Sequence, residues 1–212
     1  WRLKLLRFRG ADMSTKIAIS GDLGSGKSTI GKIFEERLGF KFHSGGSIFR
    51  LLASKYNMTP AEFSKYSEIH PEVDEEIDGE LIKISAVDED MAIDSRMAWH
   101  FVDGSFKLHL LVDTEVAAKR IMDENRGSEK YRTLEEAVEK IKARKASENK
   151  RYTEKYSVNP DDLNNYDLVV DTTYATPEDI SDLIEKYLIE WKNGRTFERI
   201  WTKKTGVWAP IE

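Results

Sequence analysis

Apolar positions along the chain switch between two spacings. Short runs such as Lys16-Ile17-Ala18-Ile19-Ser20 and Asp167-Leu168-Val169-Val170 are apolar on consecutive residues, the pattern of strands buried on both faces. Between such runs the spacing lengthens to three and four, so that Ile30, Ile33, Phe34 and Leu38 fall on one face of a helix predicted over 27–38. Further strands are predicted at 40–42, 91–94 and 107–112, and further helices at 47–56, 71–87, 114–124 and 134–156. Thr59-Pro60-Ala61-Glu62 and Thr176-Pro177 each place a capping hydroxyl before a first-turn proline, so helices begin at 60 and at 177, the latter running to about 191. Strands alternating with helices imply an α/β fold with a parallel sheet of about five strands covered on both faces.

Composition narrows the chemistry. Of 212 residues, 33 are basic, 38 acidic and none is cysteine, giving a formal charge of −5. Thiolate metal sites, disulfide scaffolds and cysteine nucleophiles are thereby excluded, and no apolar run is long enough to span a bilayer. The expected setting is the cytoplasm, without a membrane partner. A net acidic chain also argues against broad nucleic-acid binding, so any polyanion it handles must meet a local cluster of cations. The ends differ from the middle. Residues 1–12 carry Arg2, Lys4, Arg7 and Arg9 and are read as an upstream extension or expression remnant before a natural start at Met13. Residues 192–212 are basic and aromatic, and folding back through Trp191, Trp201 and Trp208 is favoured over stacking on nucleic acid.

The strongest chemical signal follows the first strand. Gly21-Asp22-Leu23-Gly24-Ser25-Gly26-Lys27-Ser28 satisfies G-x-x-x-x-G-K-[ST] between a predicted strand and a predicted helix. Glycines let such a loop curl until backbone N–H groups meet a phosphate at a helix N-terminus. Lys27 can then reach the β- and γ-phosphates of ATP and the Ser28 hydroxyl can hold Mg²⁺. No Asn-Lys-x-Asp base-reading motif accompanies it, which argues against a switch GTPase. On the long helix, Arg144, Glu148, Arg151 and Lys155 share a face that continues from Ala137 and Ile141, so an apolar seam turns charged halfway along. Surface pairing is the plain account of that stripe; the alternative is a guanidinium cluster for phosphoryl transfer, where charge neutralisation supplies most of the catalysis. His109 lies in a predicted buried strand, where a core imidazole with satisfied hydrogen bonds is expected.

With the phosphate loop, Ser44-Gly45-Gly46-Ser47-Ile48-Phe49-Arg50, Asp94-Ser95-Arg96, Arg144-x-x-x-Glu148-x-x-Arg151 and Tyr166-Asp167-Leu168-Val169-Val170-Asp171-Thr172, the chain from about Thr15 to Trp191 resembles the cytidylate kinases among the nucleoside monophosphate kinases. The resemblance implies a P-loop three-layer sandwich spanning 13–191, a helical monophosphate-binding region at 44–90 and a lid at 125–160. It implies an enzyme that takes ATP, Mg²⁺ and small nucleotide substrates, converting CMP or dCMP to the diphosphate; a monomer is expected. Gly21 to Thr29 and Arg120 would hold the donor nucleotide, and Ser28 and Asp94 the metal. Gly46, Arg50, Arg96 and Glu148 would hold the acceptor; Lys27, Asp94, Arg96, Arg144 and Arg151 would carry catalysis. Four positions depart from the family here: Asp22 and Leu23 stand where small residues or proline are usual, Ser95 replaces glycine, and Ala146 replaces arginine, with Lys145 beside it. A P-loop kinase of another metabolite, such as shikimate or dephospho-coenzyme A, and a non-catalytic ATP-binding regulator are the alternatives.

Overall fold

Ile17, Ala18 and Ile19 are wholly buried in β1 (Lys16–Gly21), as a run without polar positions requires. The computed structural model describes residues 14–70, 72–123 and 131–211, which divide into two compact units. The expectations for residues 1–12 and for the start of the lid, 125–130, lie outside the described residues.

The first unit comprises 14–20 and 31–106. Strand β3 (Met91–Asp94) pairs in parallel with β1 on one side and β2 (Lys41–Ser44) on the other, and the register Ser44↔Asp94 brings the carboxyl ends of β2 and β3 level, with Ile19 of β1 beside them. Ligands gather at such ends in parallel sheets. Helix α1 (Lys27–Leu38) lies so close to β2 that a Cβ on Gly31 would stand 2.1 Å from the Phe42 ring. Around the strands run α2 (Gly45–Lys55), α3 (Pro60–Ile69), α4 (Glu72–Ser85) and the short α5 (Ala98–Phe101). Capping boxes start α2, with Ser44 and Ser47 exchanging hydrogen bonds, and α3, with Thr59 and Glu62. Met97 and Trp99 are buried and Phe101 packs beside Ala98 and Val102, so the aromatic run after Arg96 fills core.

The second unit comprises 21–30 and 107–211. In it β4 (Phe106–Leu111), β5 (Leu168–Asp171) and β6 (Ile200–Thr202) are parallel, and β7 (Ala209–Pro210) closes antiparallel on β6. Helix α6 (Thr114–Asp123) packs on α7 (Leu134–Tyr156) through Ala117, Ala118, Ile121, Ala137 and Ile141. The last helix, α8 (Pro177–Lys192), starts with a capping box between Thr176 and Asp179.

Strands β6 and β7 raise the expected five to seven among the described residues, and both come from the segment read as a tail. That segment folds back: Val169 donates to the Arg199 carbonyl at 2.7 Å, Thr202 Oγ1 donates to Asp171 Oδ2 at 2.9 Å, and Tyr187 holds the rings of Phe197 and Trp201 at 4.8 and 5.5 Å. Three residues of strand flanked by charges carry too little apolar signal to be read from sequence. No helix among the described residues is long and apolar enough to cross a membrane.

Candidate active site

The phosphate loop is held in shape by close backbone approaches. Gly21, at φ +143°, runs so near β4 that a Cβ there would lie 2.3 Å from the Leu110 carbonyl oxygen, and the next amide, Asp22 N, donates to that oxygen at 2.9 Å. Gly24, at φ +75°, passes so near Ala117 of α6 that a Cβ there would stand 3.0 Å from the Ala117 carbonyl oxygen. Both contacts exclude side chains, which is why glycine stands there. Leu23 fastens the same loop to the apolar cluster of α6 and α7. Helix α1 then begins, with Ile30 N donating to the Gly26 carbonyl and Thr29 exposed in its first turn.

Lys27 Nζ donates to the carbonyls of Gly21 and Asp22, at 3.1 and 2.7 Å, so the ammonium is poised inside the loop's curve. Ser25 is buried, and its hydroxyl has no hydrogen-bond partner among the described residues. A buried polar atom left unpaired is costly, and a phosphate oxygen would satisfy this one. Ser28 follows Lys27 at the helix start, where its hydroxyl suits Mg²⁺. Arg120 of α6 braces the loop from behind: Nη1 donates to the Gly24 carbonyl at 3.3 Å and to Thr172 Oγ1 at 3.2 Å, and Nη2 to the Thr172 carbonyl at 2.8 Å. Thr172 is wholly buried just after β5, and the sequence marks it only as the last residue of a strand-end motif.

Along α7 the charges sort into two roles. Arg144 Nε donates to Glu148 Oε1 at 3.0 Å, and Arg151 lies 5.2 Å over the Tyr152 ring. The side chain that reaches the loop is Lys145, whose Nζ donates to Asp22 Oδ1 at 2.8 Å and lies 3.3 Å from Asp161 Oδ1. Ala137, Ile141 and Lys145 are four residues apart, so one helical stripe carries both the packing and this contact. The spacing alone predicts a seam through 137, 141 and 144; in the structure it runs on through 145.

In the first unit, Asp94 ends β3 level with Ser44, and the turn after it is pinned by Ser20 Oγ donating to the Ser95 carbonyl at 3.2 Å. Arg96 sits in that turn. Gly46 is exposed in the first turn of α2, where a Cβ would stand 3.3 Å from Nη1 of Arg50. Gly46 and Arg50 thus share one patch above the end of β2, and Asp94 and Arg96 one turn at the end of β3.

A P-loop followed by this order of strand-end motifs matches the model of one family, described as cytidylate kinase-like, over residues 16–174. The chain belongs to the cytidylate kinase-like family. Over 171 residues it is 36% identical to a cytidylate kinase of Sulfolobus acidocaldarius, covering 80% of this chain and 91% of that one. An S-adenosylmethionine-dependent nucleotide dehydratase of Lacinutrix mariniflava is 35% identical over 199 residues, 93% of this chain but only 40% of that protein. Among solved structures, a shikimate kinase from Acinetobacter baumannii aligns with a TM-score of 0.58 over 85% of this chain and 96% of its own, at 17% identity. That likeness concerns the fold alone. The chain is a P-loop kinase of α/β fold.

His109 departs from the expected satisfied core imidazole. It is buried in β4 against the Tyr166 ring at 4.4 Å, and its Nδ1 has no hydrogen-bond partner among the described residues. Burial drives its pKa down to about 4; Asp22 and Asp161 pull upward, while Lys145 and Lys27 push the same way as burial. The folded state therefore holds the neutral ring, and its contribution to stability is intact above the unfolded value near 6.5 and erodes as pH falls toward 4. Between pH 7 and pH 4.5 the wild type is expected to lose on the order of 2 to 3 kcal/mol more unfolding free energy than His109→Gln. Urea titrations at both pH values measure it, and equal losses in the two proteins would contradict the assignment.

Proposed function

We propose that this chain transfers the γ-phosphoryl group of ATP to a nucleoside monophosphate, with CMP or dCMP as the preferred acceptor. The observation that carries the proposal is the phosphate loop, with Lys27 curled inside it and the buried Ser25 hydroxyl unpaired, in a chain of the cytidylate kinase-like family. Backbone N–H groups and Lys27 would hold the donor phosphates, with Arg120 fixing the loop. Ser28 and Asp94 would hold Mg²⁺, which neutralises phosphate charge when bound. Arg50 and Arg96, each able to grip a phosphate through two N–H groups, would orient the acceptor so that its phosphate oxygen attacks the γ-phosphorus and ADP leaves. Arg144 and Arg151 would stabilise the charge that develops, and Glu148 would accept a hydrogen bond from the amino group of a cytosine base.

The longer match to the nucleotide dehydratase supports a second element of the proposal. In that relative the kinase-like part shares a polypeptide with sequence beyond the match. A phosphorylated nucleotide made here would suit an S-adenosylmethionine-dependent dehydration as its next step.

ADP release measured with CMP, dCMP, UMP, AMP, GMP, shikimate and dephospho-coenzyme A tests the acceptor. CMP and dCMP are expected to exceed the others in kcat/KM by about 100-fold, the discrimination that hydrogen bonds to a base edge can supply. Turnover confined to shikimate or dephospho-coenzyme A would overturn it.

A further inference from the structure

Asp22 is an acid at the second position of a loop read as a polyphosphate site. Its carbonyl oxygen accepts from Lys27 Nζ at 2.7 Å, so the carboxylate belongs to the residue that touches the phosphate lysine. A bare carboxylate there would repel the charge that the loop collects. Its two oxygens have partners: Oδ2 accepts from Val112 N at 3.3 Å and Oδ1 from Lys145 Nζ at 2.8 Å. Lys145 is half-buried and delivered by the packed stripe of α7. Burial pulls its pKa down, but the hydrogen bonds and charges of Asp22 and Asp161 outweigh this and leave it raised, so the ammonium keeps its charge.

We propose that Lys145 is a positioning and charge-compensating residue of the phosphate loop: by neutralising Asp22 it lets the loop accept a polyphosphate, and the Asp22–Lys145 pair thereby sets donor affinity. This rests on the reading that the loop binds ATP. A direct role for Lys145 on the phosphates fits the geometry less well, because its Nζ is already shared between two carboxylates. A purely mechanical tie between α7 and the loop would use the same contact, so the test must separate charge from attachment.

Calorimetric titration of ATP into the wild type, Lys145→Met, Asp22→Asn and Asp22→Asn/Lys145→Met does so. Lys145→Met is expected to bind ATP about tenfold more weakly at low salt, a factor that shrinks as added salt screens the exposed charge. Asp22→Asn is expected to bind at least as tightly as wild type, and the double variant to return to within about threefold of it, because neither charge remains. In steady-state kinetics the effect of Lys145→Met is expected in KM for ATP, with kcat changed less. Wild-type affinity in Lys145→Met, a double variant as weak as Lys145→Met, or an Asp22→Asn variant weakened to the same degree would each overturn the proposal. Failure of the wild type itself to bind ATP would refute the kinase reading, and the proposal with it.

Discussion

Lys27→Ala is expected to lower kcat/KM for ATP by on the order of 10³-fold, with the urea unfolding midpoint close to that of wild type. Two independent features set the size of this effect. The ammonium is a cation built into the phosphate loop, and backbone amides that remain in the variant carry no full charge to replace it. The hydrogen bonds it forms within the protein, to the carbonyls of Gly21 and Asp22, are at a partly exposed position, where water can take its place at a cost of about 1 kcal/mol. Function and folding therefore separate at this residue. Steady-state ADP release paired with urea unfolding checks both halves. Activity within tenfold of wild type would remove Lys27 from the site.

Gly21→Ala is expected to do the opposite, damaging the fold first and activity as a consequence. The added methyl would stand 2.3 Å from the Leu110 carbonyl oxygen and 2.7 Å from its amide nitrogen, both backbone atoms of β4. Neither can swing aside as a flexible side chain could. The positive φ at this position adds strain for any L-residue. A loss of about 3 to 5 kcal/mol follows, enough to lower the thermal midpoint by about 10 °C in a protein of this size. Gly26, also at positive φ but with open space around its Cβ position, should tolerate alanine better, at about 1 to 2 kcal/mol. Thermal unfolding of both variants measures the contrast, and equal midpoints would show that the approach of the loop to β4 is not what demands glycine.

What could be read from the sequence followed from how local each signal is. Buried strands such as β1 and β5 declare themselves by unbroken apolar runs, and α3 and α8 by a hydroxyl followed by proline. The capping boxes at Thr59 and Thr176 appear where those residues required them. The phosphate loop is equally local, since eight consecutive residues carry both its conformation and its chemistry. Pairings across long separations left weaker marks. Nothing near Asp22 announces a lysine more than a hundred residues later, although the stripe from Ala137 through Ile141 to Lys145 pointed inward and could have been followed one step further. His109 was legible as buried but not as unpaired, because hydrogen-bond satisfaction depends on groups that only the fold brings near. The strand β6 was hidden for a different reason: three residues between Arg199 and Lys203 are too few to show an apolar pattern.

Asp94 and Arg96, with Arg50 and Gly46, show an intermediate case. The family resemblance points to each of them, and the parallel register shows how they come close: β2 and β3 end level at Ser44 and Asp94, so the turns that carry these residues are neighbours. The two departures from the family at the loop, Asp22 and Leu23, are likewise accounted for by the structure. One is an anchor for Lys145 and Val112, the other an apolar contact to α6 and α7.

On the proposed function, this chain moves a phosphoryl group from ATP to a nucleoside monophosphate. Phosphorus NMR of a mixture of ATP, Mg²⁺, CMP and the protein tests it most directly. The expected result is the appearance of CDP and ADP in equal amounts as CMP and ATP disappear; ADP accompanied by inorganic phosphate, with CMP unchanged, would contradict it.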